Sequence, residues 1–402
     1  MNRRILARVA AGAALVCAAT VGVAPMPASA VGSGGARFVI SGFGLNNGWR
    51  VDRHPRVLAD ITGDGRADIV GFGDDGVTTA VSRGDGTFTT VFGAVGDFGY
   101  AQGWRVGTHP RFVKDVTGDG RADIVGIGNS FVMVSVSLGN GAFAAPLFIN
   151  IGFVAGSTYF LADVNADNRA DLYRVTNGRV DIAVALGNGS FATPILATTE
   201  FTVPGGFDTP KVQDVTGDRR AEFLAFSVSG PIHIRSTSPL ANNTYPLSHR
   251  AQADTTSTPQ LMDAFADITG DGLADIVAFG QTGAASYSAT STGGGNFRDF
   301  AVAVNDFGAG TGWTRQHPRQ VIDVNGDARA DIVGFGQQGV WIALSNGNGT
   351  FGPTQLLVAD FGSDQAWTVD QHVRVAADIT GDGRADMIGF GNDGVYSAVT
   401  TP

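Results

Sequence analysis

The sequence predicts an all-β fold, a seven-bladed β-propeller of four-stranded blades, and three observations predict it. An Asp-rich loop recurs at nearly constant spacing, the flanks of each copy read as short strands parted by glycine turns, and the composition disfavours helix. Of the 37 acids only Glu200 and Glu222 are glutamate, only Lys114 and Lys211 are lysine, and glycine reaches 58 residues. Helix surfaces are ordinarily filled with Glu and Lys, whereas Asp and Gly favour turns and caps. A hydrophobic content of 43% is enough to bury a core, which excludes a disordered chain.

The repeat is first seen in Asp60-Ile61-Thr62-Gly63-Asp64-Gly65-Arg66-Ala67-Asp68-Ile69, and further copies begin at Asp115, Asp163, Asp214, Asp267, Asp323 and Asp378. Neighbouring copies lie 48 to 56 residues apart, far too long for a calcium-binding β-helix. Strand-like Arg56–Ala59 precedes the first loop, and Ile69–Gly73, Val77–Val81 and a stretch near Phe88–Phe92 follow it. Four short strands per repeat make one propeller blade. The chain stops on a third strand, Gly394–Val399, while Ala36–Gly44 resembles the fourth-strand stretches Thr87–Gly99 and Phe297–Gly308. The N-terminal strand is therefore expected to complete the last blade and close the ring, which removes exposed sheet edges.

In each loop, oxygen-bearing side chains fall at positions 1, 3, 5 and 9; in the copies at Asp60, Asp115, Asp267 and Asp378 glycine at position 6 permits the turn that lets them converge, whereas the Asp323 copy has Ala328 there. Such a set suits a hard cation such as Ca²⁺. The expected ligands are Asp60, Thr62, Asp64 and Asp68; Asp115, Thr117, Asp119 and Asp123; Asp267, Thr269, Asp271 and Asp275. Asp323, Asn325, Asp327 and Asp331, and Asp378, Thr380, Asp382 and Asp386, complete five sets. Four to six structural Ca²⁺ ions are expected. The Asp163 copy has Ala166 and Asn168 and remains a candidate, whereas the Asp214 copy has Arg219 for glycine and Glu222 for the last Asp, which makes metal doubtful in that copy. The competing reading is that these Asp residues cap turns through backbone hydrogen bonds. The loop resembles the FG-GAP repeats of integrin alpha subunits and related bacterial repeats, and that resemblance implies Ca²⁺ in a β-hairpin loop.

A second motif precedes the loop in four repeats: Trp49, His54 and Arg56; Trp104, His109 and Arg111; Trp313, His317 and Arg319; Trp367, His372 and Arg374. Three copies follow Asp-Phe-Gly, at Asp97, Asp306 and Asp360. Four of the five Trp and four of the six His of the chain share this register. A Trp ring offers an apolar face to a sugar, while Arg and His supply donors and acceptors for its hydroxyl and amide groups. These twelve residues are the candidate ligand-binding set; inter-blade packing is the alternative reading of them.

Joined to the Asp loop, this motif resembles the Psathyrella velutina-type propeller lectins. The resemblance implies binding of terminal N-acetylglucosamine, in some relatives sialic acid, in pockets between blades. It is strongest in repeats 1, 2, 6 and 7. An integrin-like protein adhesion module is the alternative function, and a polysaccharide lyase a more remote one.

Arg3, Arg4 and Arg8, the apolar run Val9–Val23 and Ala28-Ser29-Ala30 predict a secretory signal peptide over residues 1–30, with one propeller domain over 31–402 and a bacterial secreted origin. The single cysteine, Cys17, falls in that leader, so metal is expected to supply the rigidity that disulfides give other exported proteins. A net charge of −10 disfavours nucleic acid, and no later apolar run is long enough to span a membrane. No nucleophile elbow, P-loop or dinucleotide fingerprint occurs, so no enzyme activity is expected. The expected partners are glycans or glycoproteins, with no obligate protein partner.

Overall fold

The computed structural model describes residues 31–199, 211–224, 232–237, 247–253, 264–280 and 283–402. The leader expected over residues 1–30 lies outside them. Secondary structure is almost entirely β, interrupted by three short 3₁₀ turns at Leu45–Asn47, Ala309–Thr311 and Ser363–Gln365.

Among the described residues six four-stranded antiparallel sheets form, where the sequence predicts seven. The first joins Arg56–Ala59, Asp68–Phe72, Val77–Ser82 and Phe88–Val95 in chain order, and the same order recurs in the other blades. Its second strand, Asp-Ile-Val-Gly-Phe, is buried along its whole length, as expected of a strand packed on both faces. The repeat of Asp214 departs from the pattern. Lys211–Gln213 pairs with Glu222–Leu224, and Ile232–Thr237 pairs separately with Leu247–Ala253. In sequence, Pro231 stands just before Ile232 and has no N–H to offer a ladder.

Ring closure by the N-terminal strand is observed. Arg37–Ser41 pairs with Gly394–Ala398 as the fourth strand of the last blade, and Gly32–Ser33 pairs with Thr400–Thr401. A belt of backbone hydrogen bonds passes from blade to blade through the Asp loops. The N–H groups of Ala122, Ala170 and Ala221 donate to the carbonyls of Asp60, Asp115 and Asp163, at 2.7–2.8 Å. Ala330, Ala385 and Ala67 do the same to Asp267, Asp323 and Asp378, so the last loop is tied to the first.

Antiparallel order fixes what each end of a blade carries. The Asp loop and the turn between third and fourth strands lie at one end. The turn between second and third strands lies at the other, together with the Trp–His segment that enters the blade. Large apolar side chains fill the space between sheets, among them the fully buried Phe43, Phe72, Phe98, Phe307, Phe335, Phe361 and Phe390.

Candidate functional site

The Asp loops are built around two carboxylates held by backbone amides. Asp60 Oδ1 accepts from the N–H groups of Thr62, Gly63 and Asp64, and its Oδ2 accepts from Gly65. Gly65 has φ +82°, a conformation that favours glycine. Asp68 opens the second strand and is fully buried; its Oδ2 accepts from Ile61 N–H and its Oδ1 from Ser82 N–H. The loop is thereby clamped to the end of the third strand. Asp123, Asp275, Asp331 and Asp386 repeat the clamp.

Burial pushes the carboxyls of Asp68, Asp123, Asp275 and Asp386 up to about 6, and that of Asp331 to about 7, against the opposing pull of those amide hydrogen bonds. The position-5 carboxylates of Asp64, Asp119 and Asp382 are gripped by the guanidinium groups of Arg66, Arg121 and Arg384, and Asp327 by Arg329 at 2.5 Å. Thr62 Oγ1 donates to Asp60 and Asp68, and Asn325 donates from its side-chain amide to Asp327. Hard oxygen donors fit a hard cation, and nearly all of them are already turned into the loop by hydrogen bonds.

The loop that sequence marks as doubtful is the one that gathers its acids most tightly. Asp214, Asp218 and Glu222 bring carboxylate oxygens within 4.8 Å of one another. Glu222 is one methylene longer than the Asp it replaces, which extends its carboxylate toward the other two.

At the opposite end, the Trp–His–Arg motif proves to be three interlocking parts. Trp104, Trp313 and Trp367 are buried, and each indole N–H donates to the Asp seven residues earlier, Asp97, Asp306 or Asp360, at 3.0 Å. These rings pack over glycines of the second strand: a Cβ on Gly126 would sit 2.4 Å from Trp104, and one on Gly334 equally close to Trp313. They are walls of the site, and their apolar faces are covered rather than presented to a ligand.

Each motif arginine bridges blades. Nη1 of Arg56, Arg111, Arg319 and Arg374 donates to the carbonyl of Phe43, Phe98, Phe307 and Phe361 in turn. Those phenylalanines have φ of +59° to +66°, an unfavourable conformation outside glycine, which the arginine bond and core burial hold in place. Arg56, Arg111 and Arg319 also lie over the rings of Phe390, Phe72 and Phe279 of the preceding repeat, at 4.8–5.4 Å. Burial lowers Arg56, Arg111 and Arg374 to about 10, still cationic at neutral pH.

His54, His109 and His372 accept at Nδ1 from the backbone N–H that follows the Trp. Their Nε2 atoms meet Asp74, Asn129 and Asn392 at 2.9–3.1 Å, on the turn between second and third strands. His317 departs. Its segment is one residue shorter after Trp313, its turn carries Gln337, and Gln337 donates instead to Asp364 at 3.1 Å. His317 is consequently half-buried, and desolvation lowers its pKa, as it does that of His372.

Hollows open where the Trp–His segment meets that turn. In repeat 6 a hollow of about 300 Å³ is lined by Trp313, His317, Gly336, Gln337, Gln338 and Trp341. In repeat 1 the corresponding hollow, about 360 Å³, includes Trp49, His54, Gly73, Asp74, Asp75 and Thr78. A third, of about 570 Å³, sets His109 and Arg111 against Ser157, Thr158 and Tyr159 of repeat 3. Trp341 lies outside the Trp–His–Arg motif. It is the fifth tryptophan, and its third-strand position is the signal that could have found it: a site opposite a small second-strand residue, occupied elsewhere by Thr78, Met133, Tyr287 and Tyr396.

Residues 323–389 match the FG-GAP-like repeat family. The chain is 36% identical to an Agrocybe aegerita lectin whose structure describes recognition of non-reducing terminal N-acetylglucosamine, across 87% of this chain and 78% of that one, with a TM-score of 0.49. The chain belongs to that lectin's family of repeat propellers. Sequence identity, rather than superposition, carries the relationship. The propeller fold is shared with the BP39L lectin of Burkholderia pseudomallei, at 14% identity, 86% of this chain, 97% of that one and a TM-score of 0.50. A rhamnogalacturonan lyase of Bacillus licheniformis is also similar, at 12% identity, 86% and 71% coverage and a TM-score of 0.42. No curated protein matches the sequence.

Proposed function

We propose that this repeat propeller is a secreted glycan-binding protein without enzyme activity, taking terminal N-acetylglucosamine-type sugars in hollows at the Trp–His end of its blades. The observation that carries the reading is the recurrence of one hollow in repeats 1 and 6, each joining a tryptophan wall to amide, carboxylate or imidazole groups. An apolar wall beside a few convergent polar groups is what a sugar ring requires. The related Agrocybe aegerita lectin recognises that sugar class, which supports the choice.

In the same proposal the Asp214 repeat fills a seventh place in the ring. Ala221 N–H is bonded to the Asp163 carbonyl, and Gly217 abuts Leu273 of the next loop, where a Cβ would sit 2.5 Å away. Calcium in the Asp loops is proposed as a structural cofactor. Its ligands would come from the position 1, 3, 5 and 9 residues of the five sets, and it would supply positive charge that favours the ionised carboxyls.

A glycan array run with and without a chelator tests the reading. Binding to N-acetylglucosamine-terminated glycans is expected, at more than one site per chain. An array without hits from folded, calcium-loaded protein would refute it.

A further inference from the structure

Trp341 differs from the buried motif tryptophans in every respect that matters for a ligand. It is half-buried, it lines the repeat-6 hollow, and its indole N–H has no acceptor among the described residues. Trp104, Trp313 and Trp367 have theirs engaged by Asp97, Asp306 and Asp360. No aromatic ring or cation of the described residues lies against Trp341. On its own ladder it stands opposite Gly334, which has no side chain, and Leu356. Across the hollow floor a Cβ on Gly336 would sit 3.1 Å from both Trp341 and Trp313, so the two indoles flank one glycine.

The other repeats show what this position otherwise carries. Thr78 offers no ring face, and Met133 is buried. Tyr396 is already covered by Phe38 at 5.4 Å and Trp367 at 5.8 Å. Only in repeat 6, among the four motif repeats, is a half-buried tryptophan, packed against the core on one side and without a ring or cation contact among the described residues, combined with a shortened Trp–His segment and exposed amides from Asn305, Gln337 and Gln338. Neutral amides beside a ring suit an uncharged saccharide with an acetamido or hydroxyl edge.

Resting on the glycan-binding reading, we infer that Trp341 is the stacking residue of a neutral-saccharide site in repeat 6. The motif tryptophan of the same repeat, Trp313, then serves as its wall. Specificity then lies outside the repeated motif, at a third-strand position that the motif repeats fill with Thr78, Met133, Trp341 and Tyr396.

The test uses full-length protein and the N-acetylglucosamine trisaccharide. N-bromosuccinimide oxidation followed by peptide mass spectrometry should modify Trp341 in the free protein and spare it when the sugar is present, with Trp313 unreactive in both. Trp341→Ala should weaken the trisaccharide at the repeat-6 site by roughly ten-fold or more, read as one site fewer per chain by isothermal titration, and Trp341→Phe by less, because a ring face is retained. Oxidation mapping on the unmutated chain keeps the test valid if Trp341→Ala fails to fold. Sugar binding with Trp341 unprotected, or undiminished in a folded Trp341→Ala protein, overturns this inference alone. If the unmutated protein binds no saccharide, the lectin reading falls and this inference falls with it.

Discussion

Asp331→Asn separates the two roles that the Asp loops combine. Asp331 is fully buried, and its carboxylate accepts Val324 N–H at 3.1 Å and Ser345 N–H at 2.7 Å. An Asn side chain keeps one acceptor and turns an NH₂ group toward the other N–H, leaving a buried donor unsatisfied at about 1–3 kcal/mol. Against that loss, burial raises the Asp331 carboxyl from 3.8 to about 7, so holding it ionised in metal-free protein costs on the order of 4 kcal/mol. The sign follows from the direction. A native pKa above the unfolded value means that the cost is absent below about pH 4, grows between the two values, and is complete above about 7. At pH 8 with a chelator, Asp331→Asn should therefore be as stable as the parent or slightly more so, measured by urea unfolding. With calcium in excess the parent should gain and the variant should not, so the variant becomes clearly the weaker. The same destabilisation with and without calcium would refute the reasoning, because the aspartate would then be a backbone clamp and nothing more.

Asp97→Ala removes the acceptor of both Trp104 Nε1 and Phe98 N–H, and should cost about 2–5 kcal/mol in urea unfolding while leaving sugar binding at repeat 6 intact. Gly336→Ala places a methyl 3.1 Å from two indoles and should remove one site per chain from trisaccharide binding by isothermal titration, with only a modest change in unfolding midpoint. His372, desolvated and donating from Nε2 to Asn392, should titrate below the 6.5 of a free imidazole by NMR. Its contribution to stability is then present above that value and lost as pH falls through the native pKa; a native pKa at or above 6.5 would contradict the assignment.

The repeat was legible because turn chemistry is local. Asp at loop position 1 and Gly65 at position 6 declare their conformations within a few residues, and the hydrophobic flanks declare strands. Ring closure was legible from the missing fourth strand after Val399. The Asp214 blade was less so, since whether Ile232–Thr237 joins Glu222–Leu224 depends on pairing that no short window encodes. The motif tryptophans were found but their orientation was not. Burial of Trp104 depends on Asp97 to capture its N–H and on Gly126 to clear its ring, and both lie outside the motif. Trp49 marks the contrast, because Gly42 stands where the other repeats place that Asp, and Trp49 remains half-buried in its hollow. Trp341 escaped because the other motif repeats carry Thr78, Met133 and Tyr396 at its position, so no tryptophan recurs there.

The architecture separates two tasks that the composition confounds. The Asp loops and their belt of amide-to-carbonyl bonds lie at one end of the blades, and the hollows lie at the other, with full-length buried strands such as Asp331–Phe335 between them. That strand begins at the Asp clamp and ends beside Gly336, the floor of the repeat-6 hollow. A cation bound in the loop would make no direct contact with a ligand in the hollow and would act on binding only by holding the strand in register. Chelation should accordingly lower the melting temperature at once but weaken the sugar only as blades loosen, so the two losses should diverge at low temperature. Equal loss of both at a temperature where the metal-free protein remains folded would place the metal at the ligand instead.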